Sequence, residues 1–386
     1  MMKKIYLLAC PALIALSSCT SEVNDDNFID KTNSISFAAY PTKSRAIDGD
    51  VTSENMKNDN FGVVGYTDNK LYLYKSTNSA VEQKWIANES SGTWEYADMA
   101  DLKYWPETNM DFYAYFPYSD NATFAANNTT GSVMTISNVD CSHDVLFAFA
   151  GNQSKKTRVP LTFHHAFSKI KTLQIEMPAE GIVYKSGCQV EVQKVEFINT
   201  SKSGSVQVNK DGQATYEVAT PNVILDKTIS TPVTVNSTNT STNLIDNGET
   251  SNGYFFSTSS TEVNSVKGTA KTMWDGEKTS ITGEDAKLST SGLVCLKLTC
   301  KVWNGADTNK QYYVGGASTY GEVYIPLKGT ETGSISSFDA GKRYTYKIVM
   351  RNNVGFTNAG DPILTPILFE VNSVDTWGDV TVTITL

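Results

Sequence analysis

Cys19 is the residue with the clearest chemistry. It ends the run Leu16-Ser17-Ser18-Cys19, which follows Lys3, Lys4 and the apolar stretch Ile5 to Leu16. A positive start and an apolar run too short to span a bilayer have the layout of an export signal. Two small residues before a thiol give a peptidase a slim segment to cut and leave a group able to carry a diacylglycerol. The pattern resembles the bacterial lipobox. It predicts a leader over residues 1–18 and a mature N-terminus at Cys19 bearing acyl chains such as palmitate. Two or three such chains anchor stably where one does not. The rival reading is an ordinary signal peptide with an incidental Cys.

Metal and acid–base chemistry have less to work with. The chain holds three His, of which His164 and His165 are neighbours. On a strand one would point inward and one outward. Cys141 and His143 precede them, and zinc accepts such ligands, but the spacing is not that of a zinc site. The plainer reading is a buried His bonded to a backbone carbonyl beside a surface one. After Cys10 and Cys19, four Cys remain, at 141, 188, 295 and 300. Cys295 and Cys300 are an odd number of residues apart and would face opposite sides of a strand, so no bridge is expected between them. No Gly-x-Ser-x-Gly, His-Glu-x-x-His or phosphate-loop pattern occurs. Asp48-Gly49-Asp50 and Asn58-Asp59-Asn60 lack the glutamate of a calcium loop. The expectation is no catalytic residue, no metal and no cofactor, although two acids paired across strands would leave no local trace.

The elements that must carry these residues are strands. Alternation recurs at Ile35-Ser36-Phe37-Ala38-Ala39, Leu71-Tyr72-Leu73-Tyr74, Val294-Cys295-Leu296-Lys297-Leu298 and Val380 to Leu386. Asp68-Asn69, Asp211-Gly212, Asn247-Gly248, Asn252-Gly253 and Asn304-Gly305 punctuate them as turns. The 386 residues suit two domains or one large all-β domain. The pattern is that of all-β sandwiches. A boundary is read near Met177-Pro178-Ala179-Glu180-Gly181, dividing an aromatic-rich half (46–176) from one rich in Ser, Thr, Asn and Val (177–386). The polar stretch from Ser230 to Asn252 reads as loop and edge strand. Acids outnumber bases 41 to 32, and loss of Lys3 and Lys4 with the leader takes the net charge from −9 to −11. No basic stripe exists to neutralise phosphates, which argues against nucleic acid as a partner.

Around Trp105 the residues form a packing device. Phe112, Ala114 and Phe116 share one face of a strand, and Tyr113 and Tyr115 the other. Pro106 and Pro117 bracket the segment, and Trp105 is expected in the core between sheets. The functional rival is an aromatic platform for carbohydrate.

Tyr104-Trp105-Pro106 with Phe112 to Pro117 resembles a hallmark of the fimbrillin family, the lipoprotein-derived pilus subunits of gram-negative anaerobes. Asp144 to Ala148 followed by Val159-Pro160-Leu161-Thr162-Phe163-His164-His165-Ala166-Phe167-Ser168-Lys169-Ile170 resembles a second. Gly341 to Tyr346 and Trp377 match more loosely. The resemblance implies two tandem transthyretin-like, Greek-key β-sandwich domains. It also implies a strand, here Ile35, Phe37 and Ala39 within residues 19–45, that fills the N-terminal sandwich of the precursor. An Arg- or Lys-specific protease would cut after Arg45, ahead of Ala46, and free that strand. The flexible setting between Ser44 and Asp48-Gly49-Asp50 suits such a cut, with Lys43 as an alternative. The plainer reading is that Arg45 is one surface base among 32.

An emptied groove invites another subunit's strand by β-addition. Val380, Val382, Ile384 and Leu386 share one face and form the donor expected from the C-terminal end. The same alternation would equally let this strand close its own domain. The function expected is a fimbrial structural subunit, exported as an outer-membrane lipoprotein, assembled by strand exchange into the fimbrium and supporting adhesion. Its partners would be other pilus subunits, the outer membrane through the lipid, the maturation protease, and host or bacterial surface ligands. The alternatives are a stand-alone surface lipoprotein that binds glycan or host protein, and an outer-membrane enzyme.

Overall fold

The protein is described from a computed structural model. The residues it describes are 34–41, 56, 59–75, 83–88, 93–119, 121–155, 158–176, 188–218, 223–236, 240–247, 253–256, 264–267, 294–304, 308–327, 338, 340–349 and 374–376. Among them no α-helix occurs, and the all-β expectation is met.

A large sheet runs in the order β1 (Phe37–Pro41), β10 (Val159–His165), β9 (Leu146–Gln153), β6 (Met110–Phe116), β2 (Phe61–Thr67), β4 (Gln83–Asn88) and β5 (Thr93–Tyr96). β3 (Lys70–Leu73) pairs with β2 through the two-residue turn Asp68-Asn69, both at positive φ (49° and 60°). That is the backbone a primed hairpin turn requires, and Asp and Asn tolerate it best among residues other than Gly. A cap sheet holds β18 (Asn264–Lys267), β14 (Ala214–Val218), β13 (Gly204–Asn209), β8 (Ser132–Val139) and β7 (Ala122–Phe124).

Two further sheets face each other. One orders β16 (Ser241–Asp246), β11 (Phe167–Glu176), β22 (Lys342–Val349) and β23 (Val374–Thr376), with β17 (Tyr254–Phe256) on β11. The other orders β15 (Val223–Val235), β12 (Cys188–Thr200), β19 (Cys295–Asn304) and β20 (Gln311–Val314), with β21 (Gly321–Pro326) on β19. Their core is aliphatic, built on Leu173, Val192, Val195, Leu296 and Leu298. The polar stretch after Ser230 forms two edge strands, β15 and β16, and is more strand than loop.

Both faces of the large sheet are buried. One packs on the cap sheet through Tyr66, Tyr113, Tyr115, Met134, Val206 and Tyr216. The other encloses Phe37, Phe61, Phe112, Phe116, Leu161 and Phe163. The split of β6 is the one its alternation predicts: Phe112, Ala114 and Phe116 lie in one core, and Tyr113 and Tyr115 in the other. Trp105 differs from expectation. It is half-buried at the rim of the second core, its ring edge-on to Phe112 at 5.9 Å, because the Pro106 that follows ends its extended run at the surface.

Strands cross the sequence midpoint in both directions. β11 precedes residue 177 yet lies between β16 and β22, and the β13–β14 hairpin follows it yet pairs with β8. Residues 177–187, where the boundary was read, lie outside the described residues.

Candidate strand-acceptor groove

Residues 34–41 cross the open side of the large sheet. β1 pairs with β10 in parallel, Phe37 opposite Val159, Ala39 opposite Leu161 and Pro41 opposite Phe163. Val159 N–H donates to Ser36 C=O at 2.8 Å. In a parallel ladder this bond assigns the backbone groups of residues 36, 38 and 40 to β10. Those of Phe37 and Ala39 therefore point to the opposite edge, and Pro41 has no N–H to offer there. On that edge β1 approaches β5 without a ladder. The sheet thus curls until its two ends approach each other, and β1 lies at the seam, its ladder among the described strands running along β10.

The side chains that β1 turns inward are apolar and enclosed. Ile35 is 0% and Phe37 1% exposed. The Phe37 ring stands edge-on to Phe112 at 5.1 Å and to Phe61 at 6.3 Å, and Phe61 in turn meets Trp94 at 4.9 Å and Phe163 at 5.8 Å. Edge-to-face pairs at these distances add to the burial of each ring. Ile35 and Phe37 together bury side chains worth about 1.5–3 kcal/mol each. β10 alternates to match, with Val159, Leu161 and Phe163 buried and Pro160, Thr162 and His164 exposed. Taking β1 away would leave an aromatic slot between β10 and β5 and a row of unpaired β10 groups.

At its leading end the strand is held on its other side as well. Ile35 N–H donates to Lys103 C=O at 2.9 Å, and Ser34 forms an isolated antiparallel bridge with Tyr104. Residues 103–104 follow a 3-10 turn, Met99–Asp101, capped by Asp98, whose carboxylate accepts from Ala100 N–H at 2.9 Å. The Tyr96 hydroxyl accepts from Lys103 N–H at 3.3 Å, and the Tyr72 hydroxyl donates to Tyr104 C=O at 2.9 Å. Burial pushes the Tyr96 phenol well above its usual pKa, so it stays neutral.

Ile35 and Phe37 are thus placed as the alternation implied. Ala39 takes its position in the ladder, and its side chain lies outside the description. Cys19, Arg45, Ala46, Val380, Val382, Ile384 and Leu386 lie outside the described residues. The groove also draws on Met56, Trp94 and Tyr96, which the sequence reading did not single out. The alternation Trp94-x-Tyr96 is the signal that would have found two of them. The His pair divides as expected, but the partner differs. Buried His165 meets the Asp144 carboxylate at 2.6 Å, a side-chain partner the expectation of a backbone carbonyl did not include; Asp144 is itself buried and needs a polar partner. His143 is exposed, its ring against the Ser142 hydroxyl, and Cys141 is buried behind the cap sheet.

The fold and groove define an all-β chain whose large sheet is completed by its own leading strand. A fimbrillin-like family model matches residues 44–361, and the chain belongs to that family. The family is one of fimbrial proteins, which makes this chain a fimbrial-type protein of the cell surface. Among solved structures it is similar to a fimbrial protein from Bacteroides vulgatus at 15% identity and TM-score 0.52, over 89% of this chain and 99% of that one. It is also similar to a candidate cell-adhesion protein from Parabacteroides distasonis at 11% identity and TM-score 0.50, over 90% and 98%. At those identities the likeness shows the fold. A search of curated proteins found no match.

Proposed function

We propose that the chain is a pilus subunit assembled by protease-triggered strand exchange. The observation that carries this reading is the segment from Ile35 through β1, whose Ile35 and Phe37 side chains are buried against the large sheet while the strand is laddered, among the described strands, to β10. In this reading the protein is exported as an outer-membrane lipoprotein acylated at Cys19, and cleavage between Arg45 and Ala46 severs β1 from the body. The slot then accepts a strand from another subunit, with Val380, Val382, Ile384 and Leu386 as the donated face. Residues 46–176 and 177–386 are proposed as two folding units that lend strands to each other through β11 and the β13–β14 hairpin. Attachment to host or bacterial surfaces follows from the assembled fimbrium.

The test is cleavage of the purified chain, starting after Cys19, with an Arg-specific protease. Uncleaved protein should run as a monomer and cleaved protein should form ladders of higher order. Arg45→Ala should block the change unless the protease also accepts Lys43. Cleaved protein that loses β1 and stays monomeric would contradict the reading.

A further inference from the structure

The hallmark segment around Trp105 does more than pack. Its backbone at Lys103 and Tyr104 lies along the edge of β1 opposite β10, and takes the Ile35 N–H there at 2.9 Å. Two phenols hold that backbone in place. Tyr72, from β3, donates to the Tyr104 carbonyl, and Tyr96, from β5, accepts from the Lys103 amide. The 3-10 turn fixes the chain just before it, where Leu102 N–H donates to Met99 C=O at 3.2 Å. The Lys103 carbonyl that meets the strand amide thus lies between two held groups, the Lys103 amide and the Tyr104 carbonyl, and has less freedom to lose on binding, which is how preorganisation favours it.

We propose that Lys103–Tyr104 is a second strand-recognising edge of the groove, and that Tyr72 and Tyr96 are its positioning residues. The inference rests on the strand-exchange reading and deepens it by stating what an incoming strand must present. The ligand is an extended segment of a second copy of the subunit. It carries a backbone N–H two residues ahead of the side chain that fills the Phe37 pocket, and a branched aliphatic on the residue bearing that N–H. At this end the strand is gripped on both edges, by Lys103 C=O on one and by the β10 ladder on the other. Nothing in this requires a particular side chain at 103 or 104, because the contacts to β1 come from backbone groups.

The experiment uses the full chain cleaved after Arg45 and exchanged with a fluorescent synthetic peptide of residues 31–45. Release is followed by anisotropy after adding excess unlabelled peptide. Tyr72→Phe should release the peptide about 3- to 10-fold faster, the ratio set by one hydrogen bond of ordinary net strength. A peptide methylated at the Ile35 nitrogen cannot use the Lys103 carbonyl. It should leave wild type faster, and Tyr72→Phe should then add little, as expected of two changes acting on one contact. Tyr72→Phe effects of equal size with both peptides, or none with either, would overturn the proposal. A Phe37→Ala peptide separates the two readings. If it leaves faster while the Tyr72 and methyl changes are silent, the groove stands and the second edge falls. If wild type binds no peptide at all, both fall.

Discussion

The two faces of the large sheet are closed in different ways. The face carrying Tyr113 and Tyr115 is covered by the cap sheet and stitched to it by side chains. Tyr113 donates to Lys210 C=O at 2.8 Å, and Tyr66 donates to Ala125 C=O at 2.6 Å. Gly212 lies so near Phe149 that an added Cβ would stand 2.4 Å from its ring. The face carrying Phe112 and Phe116 is completed by β1, with a ladder along β10 and the short clamp at its leading end. Both covers bury aromatic surface. The difference lies in connectivity: the cap is woven from β7, β8, β13, β14 and β18, whereas β1 is one segment that a single peptide-bond cleavage would detach. In the strand-exchange reading proposed above, a permanent cover and an exchangeable one share a sheet, because its two faces belong to separate cores.

That contrast orders the mutational effects. Phe37→Ala removes a fully buried ring and should cost the uncleaved chain about 3–5 kcal/mol, read as a drop in urea midpoint. In chain cleaved and freed of β1 the same change should cost nothing. Gly212→Ala acts on the other cover. At φ +75° and with Phe149 in the way, an added methyl should cost about 2–4 kcal/mol. The loss should be equal in cleaved and uncleaved protein, and peptide release from the groove should not change. Tyr113→Phe removes the bond to Lys210 and should cost about 1 kcal/mol, again independent of cleavage. A cleavage-dependent effect for Gly212→Ala or Tyr113→Phe would mean that the two covers are coupled.

Thiol reactivity gives the smallest expected change, which is none. Burial pushes the Cys300 thiol up to about 12 and raises Cys141 well above its ordinary value. Cys141 sits in the core beneath the cap sheet, and Cys300 in the aliphatic core of the other pair of sheets. Neither should react with a thiol reagent at pH 8, before or after cleavage, because so little thiolate is present and neither core opens. Labelling of Cys141 after cleavage, seen by mass spectrometry of its peptide, would show that losing β1 disturbs the far face as well.

Much of this was legible in the residues. The alternation of Phe112, Ala114 and Phe116 against Tyr113 and Tyr115 assigned each side chain to its core, because a strand's period of two is a local property. The Asp68-Asn69 turn followed from the backbone that hairpins demand. Ile35 and Phe37 announced a strand with one buried face, and the family resemblance supplied its position. The partners of strands remote in sequence were not legible. Nothing in Phe167 to Glu176 says that it pairs with β22, or in Gly204 to Val218 that it lies on β8, since such pairings depend on the whole set of competing strands. Asp144 is 21 residues from His165, and their contact needs the loop and two strands between them. Lys103 and Tyr104 were invisible as a clamp, because the groups that touch β1 are backbone groups that nearly every residue carries.

Hydrogen exchange on the chain before cleavage, and after cleavage with β1 washed out, tests the contrast most directly. The amides to compare are Val159, Leu161 and Phe163 on β10, and Met134, Ile136, Val206 and Val208 in the cap sheet. The account predicts that the β10 amides lose protection on cleavage and regain it when peptide 31–45 is added, while the cap-sheet amides stay protected throughout. Protection lost from both sets together, or kept on β10 with β1 gone, would contradict it.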